Sequence, residues 1–411
     1  MKRYFLIATA VIIVMISACP KKNMTTKTEN VSMQEKIRFV RLSSGEAQMC
    51  SRANRFALHV FKYTIEAVGN KSLTLSPLSM IYSLGMINNG AEGNTSRQIC
   101  KITGFTSGTD SINAFCHKIM NEFGYIDSTT TMDIANAAII NENLKIKDCF
   151  VDALKNYYEA MTDVSNFNKN NIVNKVNVWC AEKTDGMIDN ISPDDAVIIV
   201  NAVYFKGLWK NKFNKADTKK DKFKAADGIV RNVDMMQKTD CEQYAENKTF
   251  SAVSMRYGNG HYSMQIILPK EGKSISDVIE TINKKEWKNI VDNMESGKIN
   301  MMMPRFSIEY AQELKGMFTD MGADDMFNRK KADMSKLCES NAWISSIIHK
   351  AKIEVDEEGT RAAAATGAVT IGAFDIEKAQ TIKFKADRPF LFVITERNTG
   401  MICFIGQYTG I

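Results

Sequence analysis

Residues Ala196 to Phe205 read Ala-Val-Ile-Ile-Val-Asn-Ala-Val-Tyr-Phe, a run that is β-branched and apolar on both alternating faces. Successive side chains of a strand point to opposite sides of its sheet. A strand of this composition therefore belongs at the centre of a sheet that is covered on both faces. Asn201, inside the run, is then a buried polar group that needs a partner.

The rest of the chain supplies the cover. Ala53, Phe56, Ala57, Val60, Phe61, Thr64, Ile65 and Val68 recur at three-and-four spacing, which predicts an amphipathic helix stopped at Gly69-Asn70. Near the C-terminus, Phe390–Thr395 and Met401–Ile405 flank Glu396-Arg-Asn-Thr-Gly400 and read as a hairpin. Helices come first and strands dominate the second half, which favours an α+β fold over a doubly wound sheet. No repeat of 20–50 residues is visible. The chain of 411 residues is 24% charged and 45% hydrophobic, as expected of an ordinary folded protein. Its 53 Lys and Arg against 47 Asp and Glu are interleaved, without the basic stripe that nucleic-acid binding requires.

The N-terminus is set apart from the fold. Lys2 and Arg3 precede an apolar run from Phe5 to Ile16, too short to span a bilayer, and Ser17-Ala18-Cys19 follows. The segment resembles a bacterial lipoprotein signal, which implies removal of residues 1–18, lipid on Cys19 and anchorage to an outer membrane or cell surface. An ordinary secretory signal with an incidental cysteine is the alternative, and either reading takes the protein out of the cytoplasm. Residues 19–44 are polar, rich in Lys, Thr, Asn and Ser, and read as a tether to a single domain over 45–411. The other eight cysteines are widely spaced, with no C-x-x-C pair, and read as buried free thiols rather than as a disulfide framework.

Motifs for catalysis are missing. There is no H-E-x-x-H, G-x-S-x-G or G-x-G-x-x-G, and Gly272-Lys-Ser274 lacks the earlier glycine of a phosphate loop. Nothing points to a metal or a cofactor.

The informative stretch is 347–390. Ala351, Ile353 and Val355 alternate with Lys350, Lys352 and Glu354, which predicts a half-buried strand with the charged residues outward. Then come Glu357-Glu358-Gly359-Thr360-Arg361-Ala362-Ala363-Ala364-Ala365-Thr366 and Gly367. By propensity the alanines would form a helix, but Gly359 and Gly367 bracket them. The other reading is a segment kept small because it must slide between neighbouring strands. Continued as a strand from Thr360, its inward positions are Ala362, Ala364, Thr366 and Ala368, all small, while Arg361 points outward.

The hinge Glu357–Thr366 resembles that of the serpin reactive-centre loop, and Phe384-Lys-Ala-Asp-Arg-Pro-Phe-Leu-Phe392 resembles the C-terminal signature of that family. Ser76-Pro-Leu-Ser79, Gly90-Ala-Glu-Gly-Asn-Thr95, Asn201 to Trp209 and Met303-Pro-Arg-Phe306 fall in the same order and spacing. The resemblance implies one domain with a large central sheet, two smaller sheets, about eight or nine helices and an exposed loop over about 357–383. It places Ser76, Ser79, Asn201 and His349 in the shutter beneath the strands that part. It places Trp209, Arg305 and Glu357 at the breach, where insertion begins.

It also implies a mechanism. A protease nucleophile attacks the loop and forms an acyl-enzyme. The cut loop enters the sheet before water can resolve the ester, and about 15 residues carry the enzyme roughly 50 Å. Serine proteases, and also papain-like cysteine proteases, would then be the covalent partners of a monomeric inhibitor that is not an enzyme. A non-inhibitory member serving as a binding or structural protein is the alternative. Counting seventeen residues from Glu357 puts the scissile bond at Ala373–Phe374, with Val369, Ile371 and Lys378 as other positions.

Overall fold

A computed structural model of the chain describes residues 39–167, 195–283, 287–360 and 380–411. The residues Cys19, Arg361 to Ala373, Phe374 and Lys378, named above, lie outside the described residues, as does the question of a helix over the alanine run.

The doubly apolar run becomes β4 (Val197–Leu208), inside a six-stranded sheet of order β10-β11-β12-β4-β2-β3. Its partners are β2 (Thr130–Asn141), β3 (Met161–Ser165), β10 (Phe306–Glu313), β11 (Ile344–Val355) and the two-residue β12 (Gly359–Thr360). The second sheet runs β1 (Leu73–Leu75), β15 (Met401–Tyr408), β14 (Phe390–Glu396), β8 (Tyr262–Pro269), β7 (Phe250–Arg256), β6 (Val230–Glu246), β9 (Glu295–Pro304) and β13 (Ile382–Lys385). Strand β5 (Lys219–Lys224) pairs with β6 outside this path. The two smaller sheets are thus continuous here, because the 17-residue β6 pairs with β5 and β9 along most of its length and with β7 at its end. The expected C-terminal hairpin is β14–β15.

Eight α-helices occur among the described residues: α1 (Ser44–Val68), α2 (Pro77–Gly90), α3 (Gly93–Thr103), α4 (Thr109–Tyr125), α5 (Asp148–Tyr158), α6 (Ile275–Asn283), α7 (Trp287–Asp292) and α8 (Lys315–Asp320). Helix α1 begins with a capping box, Ser43 and Glu46 each bonding the other's backbone N–H, and ends at Gly69 as the spacing predicts. Helix α2 has Pro77 at its first turn and is buried on almost every side, as a helix between two sheets must be; it packs on β4 and β15.

Three details differ from the sequence reading. Val40 is 2% exposed and its carbonyl accepts from Asn398, while Lys118 donates to the carbonyl of Arg41, so the last residues of the supposed tether are part of the fold. Lys350, on the face expected to be wet, is 3% exposed and pairs with Glu309 at 2.5 Å, because a buried ammonium is tolerated where a carboxylate reaches it. The start of the supposed exposed loop, Glu357 to Thr360, lies within the structure rather than outside it, as described below. The seven described cysteines other than Cys19 and Cys180 are free thiols.

Candidate functional site

Strands β11 and β4 run parallel and pair directly from Ile344↔Val197 to Lys352↔Tyr204. Above Lys352 they separate, and β12 fits between them, antiparallel to both: Thr360 faces Val355 on one side and Gly207 on the other, and Gly359 faces Leu208. The sheet is a fork, open by two residues at one end and closed below. From Ser346 to Lys352, β11 is offset from β4 by the same register that β12 bridges above. The lower seam can therefore widen for another strand without sliding. Such a strand would exchange one parallel ladder for two antiparallel ones, which are slightly more stable per residue.

The hinge is gripped at the mouth of the fork. Asp356 Oδ1 accepts from the N–H groups of Glu358 and Gly359 at 2.8 and 3.1 Å, turning the chain back on itself. Trp209 stacks on Tyr257 with centroids 4.4 Å apart and donates its indole N–H to the Asp356 carbonyl at 2.9 Å. Its own backbone N–H bonds the Glu358 carbonyl, and that of Phe213 bonds the Glu357 carbonyl. Thr360 is fully buried, its hydroxyl 2.8 Å from that of Tyr257. Gly359 has φ 153°, and a Cβ there would collide with the Gly207 carbonyl oxygen and come within 2.7 Å of Leu208 Cα. Gly359→Ala is expected to expel β12, seen as amide exchange at Trp209 and Phe213 at least about tenfold faster than in the parent chain.

Glu357 is 1% exposed, and its Oε1 accepts from Arg305 Nη2 and Thr218 Oγ1, both at 2.6 Å. Burial pushes its carboxyl up, but the Arg305 and Thr218 hydrogen bonds outweigh that and hold it below its ordinary range. The stabilisation is present above the ordinary carboxyl range and is lost as the pH falls through the lowered value. Lys212 and Lys215 hold Glu358 at 2.6 and 3.3 Å. Arg305 is 45% exposed, so water screens part of its attraction. Arg305→Ala should cost about 1–2 kcal/mol in denaturant unfolding, and the cost should vanish in acid once Glu357 is protonated in both proteins.

Below the fork, His349 and Asn201 face each other across the closed seam. His349 is fully buried; its Nε2 accepts from the Ser76 N–H at 3.2 Å, so the ring proton sits on Nδ1, which donates to Asn201 Oδ1 at 3.1 Å. Burial lowers its pKa to about 3, which keeps the ring neutral. Ser76 is the N-cap of α2 and donates to the Cys403 carbonyl at 2.8 Å; Ser79 Oγ donates to the Ser76 carbonyl at 3.0 Å and lies 3.4 Å from His349 Nδ1. One cluster thus ties α2, β4, β11 and β15 together.

The cluster extends to residues that the sequence reading did not single out. Asn201 Nδ2 donates to Asn136 Oδ1 at 2.8 Å, and Asn136 Nδ2 to the Tyr158 carbonyl at 3.0 Å. The Tyr158 hydroxyl then donates to Asn113 Oδ1 at 2.7 Å, and Asn113 exchanges amide bonds with Asn89. Asn136 had a signal: it is the polar residue within Ile134-Ala-Asn-Ala-Ala-Ile-Ile140, just as Asn201 is within β4. Thr218 had none.

Gly359 and Thr360 are thus seated at the top of a sheet, above a seam closed by a buried hydrogen-bonded cluster. A family model described as Serpin (serine protease inhibitor) matches residues 51–411. Serpin B11 from Homo sapiens is 30% identical over 389 residues, covering 87% of this chain and 98% of that protein. The native thermophilic serpin tengpin superposes with a TM-score of 0.80 at 27% identity, over 91% of this chain and 96% of that one. Thyroxine-binding globulin in complex with thyroxine gives 0.79 at 25%, over 88% and 99%. The chain belongs to the serpin family, whose description is that of protease inhibitors rather than enzymes.

Proposed function

We propose that this protein inhibits serine endopeptidases, and papain-like cysteine endopeptidases, irreversibly, by trapping the acyl-enzyme as its cut loop enters the six-stranded sheet. The carrying observation is β12, which is already antiparallel to both β4 and β11. Continued in that register, the entering strand meets the closed seam at Ala363, the partner of both Lys352 and Tyr204. Thr366 then arrives opposite both His349 and Asn201, on the same inward face as buried Thr360. Thr370 would face Val197 at the end of β4, which leaves Ala373 just beyond, the position expected for the acylated residue. From Thr360 to there the bound enzyme travels about 40 Å. Cutting at Arg361 would leave no strand to insert, so an enzyme that cuts there would inactivate the inhibitor.

The test is the stability of the cut protein. Cleavage between Ala373 and Phe374 should raise the melting temperature by tens of degrees, because the inserted state is the more stable one; no rise on cleavage would remove insertion from the mechanism.

The same reading includes export, lipid on Cys19, tethering at an outer membrane or cell surface, and action as a monomer. Cys19→Ser should move the protein from the membrane fraction to the soluble one, and no change in partition would remove the anchor.

A second reading, a binding protein, is favoured by one cavity. About 450 Å³ lies between α1, α7 and the β14–β15 turn, lined by Leu42, Asn54, Leu58, Trp287 and Thr399 among others. Trp287, which lines it, has a buried indole N–H without a hydrogen-bond partner among the described residues, and thyroxine-binding globulin, by its description, forms a complex with thyroxine. Quenching of tryptophan fluorescence by thyroxine that Trp287→Phe removes would support this reading.

A further inference from the structure

Among the described residues, strand β5 has β6 as its only ladder partner. Its sequence is Lys219-Lys-Asp-Lys-Phe-Lys224, and all four lysines are exposed. In the register with β6, Lys220 faces Asp234, Lys222 faces Asn232 and Lys224 faces Val230, so three lysines form a row on one face. The acids nearby are already engaged: Asp234 with Lys220 at 2.9 Å, Asp221 with Lys385 at 2.8 Å, and Asp227 with Arg231 at 2.5 Å. Among the described residues no carboxylate forms an ion pair with Lys219, Lys222 or Lys224. Ile229 and Val230, 57% and 55% exposed, close the turn at the end of the row.

The position of this strand is what gives the row a use. Thr218, the residue before β5, holds the hinge through Glu357, and Asp221 holds Lys385 of β13, the first strand after the loop. Strand β5 therefore borders both described ends of the loop. Lysine on an edge strand repels a second strand, but a single charge does that, and edge protection does not call for unpaired cations beside the loop. The cations without acids ask for an acidic partner, and the partner brought to this end is whatever attacks the loop.

We infer that Lys222 and Lys224, the two unpaired members of the row, form a docking surface for the acidic rim of the attacking protease. This rests on the reading of the loop as protease bait. Charges at the rim of an interface act on the encounter rate and its salt dependence more than on the trapped product.

The experiment uses the purified protein with the anionic and the cationic isoform of pancreatic trypsin, which share a specificity and differ in surface charge. The readout is the second-order rate of loop attack, counting cleaved and covalently trapped protein together. It therefore stands whether or not trapping follows, and cleavage without trapping would count against the proposed function alone. At low salt the anionic isoform should attack about tenfold faster than the cationic one. That advantage should collapse at about 0.5 M salt and in the double variant Lys222→Glu/Lys224→Glu, and should shrink in the double Gln variant. Unchanged melting of both variants checks that they fold. An isoform advantage that survives in both overturns the inference. So does heparin binding that the double Glu variant loses while the isoform advantage stays, since the row would then serve a sulfated glycan instead.

Discussion

Thr366→Arg should abolish the proposed covalent complex while leaving the loop as easily cut as before. In the proposed insertion, the register set by β12 would bring residue 366 between His349 and Asn201, whose polar side-chain atoms already hydrogen-bond Ser76, Asn136 and each other. Threonine can take over part of that hydrogen bonding as the seam widens. Arginine would carry an unpaired charge into a site without a carboxylate partner, at a cost of several kcal/mol. Even about 3 kcal/mol on the insertion barrier slows it more than a hundredfold, and hydrolysis of the acyl-enzyme then wins. The ratio of cleaved to trapped protein on denaturing gels measures this, and an unchanged ratio would mean that the strand does not enter in this register.

The stability of the uncut protein should rise between about pH 3 and pH 6.5, with His349 as a main cause. Its pKa is lowered from 6.5 to about 3 by burial. In that interval the unfolded chain binds a proton that the native one refuses, so stability increases with pH and the contribution is complete above 6.5. The full span is on the order of 5 kcal/mol. Carboxylates such as Glu357 titrate in the same interval, so the relevant quantity is the difference between the parent and His349→Gln in denaturant unfolding at each pH. That difference should be steep from pH 6.5 downward, and parallel curves would contradict a neutral, buried His349. Because His349 closes the seam, acid should also ease strand exchange in the native sheet.

What could be read from the sequence follows from which features are local. The helix ending at Gly69, the doubly buried β4, the hairpin β14–β15 and the small-residue hinge each carry their own periodicity or turn chemistry. Resemblance alone places Ser76, Asn201 and His349, and within the sequence only their polarity in apolar surroundings marks them. Thr218 lies 139 residues from Glu357, and Asn136 lies 65 from Asn201; no local pattern connects such pairs. Strict alternation puts Lys350 in solvent because it describes one strand's two faces but not what covers them; Glu309, on the neighbouring β10, is invisible to it. Nor does alternation reveal that the loop begins inside the sheet, because the docking of Gly359 and Thr360 depends on the gap that Gly207 and Val355 leave.

The most direct test of the central claim is to mix residues 20–411 separately with elastase, chymotrypsin, trypsin and papain, then to run denaturing gels and take intact masses. Suicide inhibition predicts a denaturant-resistant band at the summed mass with at least one enzyme, and a released fragment that begins at Phe374. If every enzyme cuts the loop and stays active, and the cut protein melts no higher than the intact one, the hinge seated between β4 and β11 does not lead on to insertion and the protein is not an inhibitor of this kind.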